Sequence, residues 1–120
     1  MTDLRKIDMW SDNGNTVKNE FKIKTIKTLV RQCSRWAVAA QQDTSPMVAL
    51  LHANYATGYL WALRDIATDK DIQSIASINI LEFQKQITDV QDKCTKLVSK
   101  TCPKFIGNVD KLLLKVAGDM

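Results

Sequence analysis

Apolar positions recur at steps of three and four through most of this chain, the spacing that gathers side chains onto one face of an α-helix. Ile23, Ile26, Val30, Cys33, Ala37 and Ala40 predict a first long helix from about Thr16 to Ala40, ended by the stretch Asp43 to Pro46. Ser45 and Pro46 then mark the next start, since serine caps free amides and proline fits the first turn without losing a bond. From Pro46 to about Thr68 apolar or small residues occupy nearly every face until Arg64. A helix apolar all round belongs inside a fold, so this one is expected to be central and buried. Within it Asn54, Gly58 and Ala62 follow one another at steps of four, which would let another backbone approach closely. Glycine costs about 1 kcal/mol of helix propensity against alanine, so a packing reason is expected for Gly58.

Residues 68–72 read as a turn leading into a short helical piece that ends near Ala76. Asn79 followed by Glu82 has the spacing of a capping box, with asparagine in place of serine or threonine. The helix after it carries the most regular pattern in the chain. Ile80, Phe83, Ile87, Val90, Cys94, Leu97 and Thr101 alternate steps of three and four, a heptad seam over a helix of about 33 Å. Pro103 closes that helix by disfavouring helical backbone at Cys102. Phe105, Ile106, Val109, Leu112, Leu113 and Val116 predict a last helix, with Gly118 as its stop. At the other end, residues 1–15 form either a short helix or a mobile arm anchored by Trp10, broken from the rest by the turn-prone stretch Ser11 to Asn15. The prediction is a single all-α domain over residues 1–120, a bundle of four to five helices with helix 46–68 at its centre.

Composition agrees with that class. The 120 residues are enough for one core without staples, and 45% apolar with 25% charged residues is ordinary for a globular domain. Three cysteines, Cys33, Cys94 and Cys102, are an odd number with no C-x-x-C pair, which argues against a secreted disulfide framework and for a reducing, intracellular compartment. Cys33 and Cys94 fall on apolar stripes, where cysteine behaves as a small hydrophobe. The N-terminus lacks the apolar run of a signal peptide. Thr44 to Leu63 is uncharged and long enough to cross a bilayer, but His52, Asn54, Thr57 and two tyrosines make a buried central helix the better reading.

Candidate chemistry is sparse. His52 is the sole histidine, so no metal cluster is indicated, and no nucleophile stands at a useful spacing from it. A small enzyme with a pocket around His52, Tyr55, Tyr59 and Trp61 is the weakest of three functional readings. The sequence has no G-x-x-x-x-G-K, G-x-G-x-x-G or G-x-S-x-G motif, and it indicates no cofactor, no small-molecule ligand and no catalytic residue. The acidic residues read as structural: Asp89–Lys93 and Asp92–Lys96 as i,i+4 pairs, and Asp65, Asp69 and Asp71 as residues placed by helix ends.

Charge is distributed unevenly. Between Thr16 and Gln41 six basic residues face Glu20 alone, a balance of +5 against +4 for the whole chain, which leaves −1 for everything else. Lys24, Lys27, Arg31 and Arg35 lie three, four and four apart and form one stripe. It is either a solvated face that keeps the protein soluble or a docking face for phosphates or an acidic protein. No aromatic residues interleave with it, which disfavours stacking on single-stranded bases. The seam of Ile80, Phe83, Ile87, Val90 and Leu97 also has two readings, an element of the intramolecular core or an interface with a second copy.

The stretch His52 to Ile66, with Ile80 to Phe83 and Val90 to Asp92 after it, resembles small helical proteins encoded by large DNA viruses. That resemblance implies a viral origin and a place in the virus particle, and it carries over no functional residues. The leading expectation is therefore a non-enzymatic structural or protein-interaction module that meets a protein partner or a copy of itself. The alternative is a nucleic-acid-associated protein that contacts phosphates through the basic helix.

Overall fold

Four helices and their connections account for residues 16–102, the part of the chain described by the computed structural model; side chains are described from Lys18 onward. The expected arm over residues 1–15, with Trp10, and the expected last helix over 105–116 lie outside the described residues.

Helix α1 spans Thr16–Gln42 and α2 spans Pro46–Ile66. The three residues between them turn the chain back on itself. Ser45 ends the turn in extended backbone, its hydroxyl accepting from the Val48 amide, and Pro46 opens α2 as the spacing predicted. Helix α3, Asp69–Ala76, takes in most of the turn expected over 68–72. The cause is local: the Thr68 hydroxyl accepts from the Asp71 amide at 3.2 Å, and two acidic residues in the first turn suit the positive end of the helix dipole. Ser77 stops α3 in the left-handed region, at φ 57. Helix α4, Ile80–Thr101, starts from Asn79, whose Oδ1 accepts from the Leu81 and Glu82 amides.

Helix α2 is central, packing against both α1 and α4. The Asn54–Gln91 and Arg64–Gln84 hydrogen bonds join early to late and late to early positions, so α2 and α4 run antiparallel. The main core gathers Ile26, Cys33 and Ala37 of α1, Ala56, Leu60 and Leu63 of α2, Ile72 of α3, and Ile80 and Ile87 of α4. A second cluster closes the other end, from Ala40, Ala49, Ala53 and Cys94. Helix α3 lids the first cluster through Ile72, and a Lys22–Asp71 ion pair at 2.8 Å ties it to α1.

The seam of α4 turns inward. Ile80, Ile87 and Cys94 are buried and Phe83 and Val90 are partly buried, but Leu97 is 47% exposed and Val98 takes the place predicted for it. A seven-residue repeat drifts around a straight helix of 3.6 residues per turn. The eighteen steps from Ile80 to Val98 make about five whole turns, which returns Val98, and not Leu97, to the buried line. The outer face also differs in its ion pairs. Asp89 reaches back to Lys85 at 2.6 Å and not forward to Lys93, and no Asp92–Lys96 pair forms among the described residues.

Adjacent positions on α2 give a direct check of this packing. Leu60→Ala, at a fully buried site, is expected to cost about 2–5 kcal/mol in urea denaturation, whereas Trp61→Ala, one residue on but outward-facing, is expected to cost less than about 1 kcal/mol. Equal losses at the two positions would contradict the assignment of faces.

Candidate functional site

The sequence of α2 places small residues on its inner side and large ones on its outer side. Ala49, Ala53, Ala56 and Thr57 are buried together with Leu60 and Leu63. Thr57 satisfies its hydroxyl by donating to the Ala53 carbonyl at 3.0 Å. Alanine is the smallest side chain that keeps full helix propensity, so an inner face of alanines lets α1 and α4 pack close without weakening α2. The larger side chains then point away from the core. Met47, Val48, Leu51, Tyr55, Tyr59 and Trp61 are each 37–47% exposed. The central helix is thus buried on one side, and its other side presents a run of apolar surface among the described residues.

Gly58 stands in the middle of this outer side. The close backbone approach expected at Asn54, Gly58 and Ala62 is not made by any described part of the chain: nothing lies within 4 Å of where a Cβ on Gly58 would stand. Instead these residues floor an open hollow bordered by Tyr55, Tyr59 and Trp36. Trp36 comes from α1, where its indole packs against Tyr55 edge-on at 5.3 Å and against the His52 ring at 5.0 Å. The sequence reading did not single out Trp36. It sits between the stripe positions Cys33 and Ala37, and that spacing alone placed it at the border of the core.

His52 has a partner as well as a neighbour. Its Nδ1 lies 2.6 Å from Asp43 Oδ2, and both side chains are about one-fifth exposed. Asp43 belongs to the turn after α1, so this contact fastens the α1–α2 connection to the first turns of α2. A histidine oriented by a carboxylate is one element of nucleophilic catalysis, but the arrangement also needs a nucleophile. Cys94 shares a cleft with Asp43, yet burial raises its thiol pKa and the nearby Asp43 charge raises it further, against an opposing effect of Lys93. That is the opposite of what activates a cysteine. Tyr55, Tyr59 and Trp61, expected around His52 in the pocket reading, do not enclose a cavity with it; they lie along the open face. Among the described residues no group of three or more histidine, cysteine, aspartate or glutamate side chains could hold a metal ion, and no helix is long and apolar enough to cross a membrane.

The basic stripe lies on the far side of α1. Ile26, Cys33, Ala37 and Ala40 face the core, and Lys24, Lys27, Arg31 and Arg35 are all exposed on the opposite side of the helix. None of the four makes an ion pair with a described residue, whereas Lys22, which lies off the stripe, pairs with Asp71. The stripe is about 16 Å long. It and the apolar face of α2 are separate surfaces on the two helices of one hairpin.

Comparison with known proteins finds no matching family model, no matching curated protein and no matching solved structure.

The thiols give the prediction that follows from these environments. Burial pushes the Cys33 thiol from about 9 up to about 12, so folding favours its protonated form. The stability linked to that proton is full below about pH 9, where the unfolded thiol also keeps its proton, and is lost progressively between pH 9 and 12. At pH 8 a disulfide reagent should therefore modify the half-buried Cys102 first and leave Cys33 intact until the protein unfolds. Modification of Cys33 at the rate of Cys102, in protein shown to remain folded, would overturn its placement in the core.

Proposed function

We propose that this chain is a non-enzymatic protein-interaction module that docks through the outer face of α2. One observation carries the reading: six large apolar side chains of a single helix are exposed along a stretch with no charged residue between Pro46 and Leu63. Folded chains seldom leave a contiguous apolar surface of this kind uncovered unless something binds there. The alanine-rich inner side explains why α2 folds, but it leaves the outer side without a packing partner among the described residues. Aromatic residues are enriched where protein interfaces concentrate their binding energy, and Tyr55, Tyr59, Trp61 and the adjoining Trp36 supply four. A place in a virus particle, as one form of this role, rests only on the resemblance of residues 52–66 to small helical viral proteins.

A photoreactive phenylalanine analogue placed at Leu51 or Tyr59, in the protein's native cellular setting, should cross-link to a defined protein partner. The same analogue at the exposed Lys70 on α3 should not. Trp61→Glu should abolish the cross-link and leave the helical circular dichroism unchanged. Cross-links that are absent, or that ignore position, would remove α2 as the docking surface.

A second reading is favoured by a separate observation, the exposure of Lys24, Lys27, Arg31 and Arg35 with no ion pair to a described residue. Cations aligned along one helix face suit a phosphate backbone, whose binding releases counterions. With four contacts the affinity for duplex DNA should fall with salt at a log–log slope of about −3.6, and changing all four to glutamine should abolish it. Binding that ignores salt, or that survives the fourfold change, excludes the stripe as a phosphate-binding surface.

A further inference from the structure

Leu97 is the one apolar residue of the α4 seam that is exposed, and it stands at the edge of a cleft. Helix α4 lines that cleft from Asp89 to Leu97, and the end of α1, the α1–α2 turn and the start of α2 line the rest. Ala40, Ala49 and Cys94 contribute from the core, so its depth is apolar and made of short side chains. The two core clusters are therefore finished differently. Helix α3 lids the first through Ile72, whereas the second opens into this cleft.

The described residues end beside the same opening. Thr101 and Cys102 share a hollow with Ser45, Pro46 and Val98, and Pro46 also lines the cleft. Cys102 has left the helix, at φ −147 and ψ 83, and Pro103 has no amide with which to continue it. After Pro103 the sequence spaces Phe105, Ile106, Val109, Leu112, Leu113 and Val116 for one helical face, and Lys104, Lys111 and Lys115 for the other. A helix from Phe105 to Val116 is about 17 Å long, and α4 from Thr101 back to Asp89 measures about 18 Å. Tethering selects this segment over other occupants. A stretch joined to α4 through Pro103 and Lys104 alone meets the cleft at an effective concentration of roughly millimolar, which a separate molecule must exceed to displace it. Residues 1–15 join the fold at Thr16, about 36 Å along α1 from Ala40.

We propose that residues 105–116 fold back as a helix antiparallel to α4 and cover the cleft between α4 and the α1–α2 turn, with Leu97 beneath their apolar face. The second core cluster then gains the lid that α3 gives the first. The proposal is independent of the reading of α2 as a docking surface, because the cleft includes none of the six large exposed residues on the outer side of α2.

Hydrogen exchange of the full chain, read peptide by peptide, tests it. In the wild-type protein the amides of residues 106–116 should exchange on the order of a hundredfold more slowly than in an unstructured peptide. Leu97→Asp, at an exposed site, should abolish that protection and leave the protection of residues 16–102 in place. Leu81→Asp, exposed on the same helix but outside the cleft, should change neither. If Leu97→Asp itself unfolds residues 16–102, Leu97→Ser, smaller and uncharged, makes the same comparison. Unprotected amides over 106–116 in the wild-type protein overturn the proposal, as does protection indifferent to the change at Leu97. Protection that appears only as protein concentration rises overturns it too, and assigns the contact to a second copy.

Discussion

The close packing of α1 on α2 through small side chains is the constraint on which the rest of the structure depends. Ala37 and Ala40 on one helix and Ala49, Ala53 and Ala56 on the other leave little between the two helices but methyl groups. Dispersion energy falls steeply with separation, so a seam of alanines gains by bringing two helices close, not by burying large area. The cost is that alanine supplies little hydrophobic burial of its own. The large residues Ile26, Leu60, Leu63 and Ile72 make up for this at one end, where α3 closes over the hairpin, and Cys94 plugs the other end. Buried side chains with unmet hydrogen-bonding groups are absent among the described residues, so the core carries no polar penalty that the small residues would have to offset.

That choice of inner residues fixes the character of the outer ones. A helix that must be apolar and that spends its alanines inward has only its bulky residues left to show. The same reasoning separates α2 from α4, whose buried line Ile80, Ile87, Cys94 and Val98 is opposed by lysines, glutamines and aspartates. Helix α4 is amphipathic in the ordinary sense and needs no second partner to explain its outer face, Leu81 and Leu97 apart. Helix α2 has apolar residues on both sides and one described layer of helices against it. The exposure of large apolar residues is therefore most concentrated on α2, although Phe21, Ile23 and Val38 of α1 are exposed as well.

Much of this was legible in the sequence, and the reasons it stopped are specific. Helix boundaries followed from Ser45–Pro46 and Asn79 because capping is a local interaction between neighbours in the chain. Most of the stripe of α1 and of the seam of α4 followed from periodicity, but Ile23 is 41% exposed, and the pattern failed again at Leu97, where a heptad count and a straight helix diverge by a fraction of a turn. The start of α3 was missed because Thr68 and the aspartates after it suit a turn and a helix cap equally well. The candidate site was harder to read. Periodicity can identify a helix that is apolar all round, but it cannot say how many neighbours that helix has, and the exposure of Leu51, Tyr55 and Trp61 depends on that number. The Asp43–His52 contact and the place of Trp36 are products of the hairpin, visible only once the turn has brought α1 and α2 side by side.

The two surfaces on that hairpin have opposite chemistry, and this bears on how they would act together. The basic stripe of α1 points away from the core, and the apolar face of α2 is uncharged, so the two surfaces differ in both residues and chemistry. Trp36 of α1 borders the hollow on α2, so α1 contributes to the edge of that surface, whereas Lys24, Lys27, Arg31 and Arg35 stand opposite its core residues. Contact at α2 and phosphate contact at α1 thus draw on different side chains, and each can be removed by substitution without touching the other.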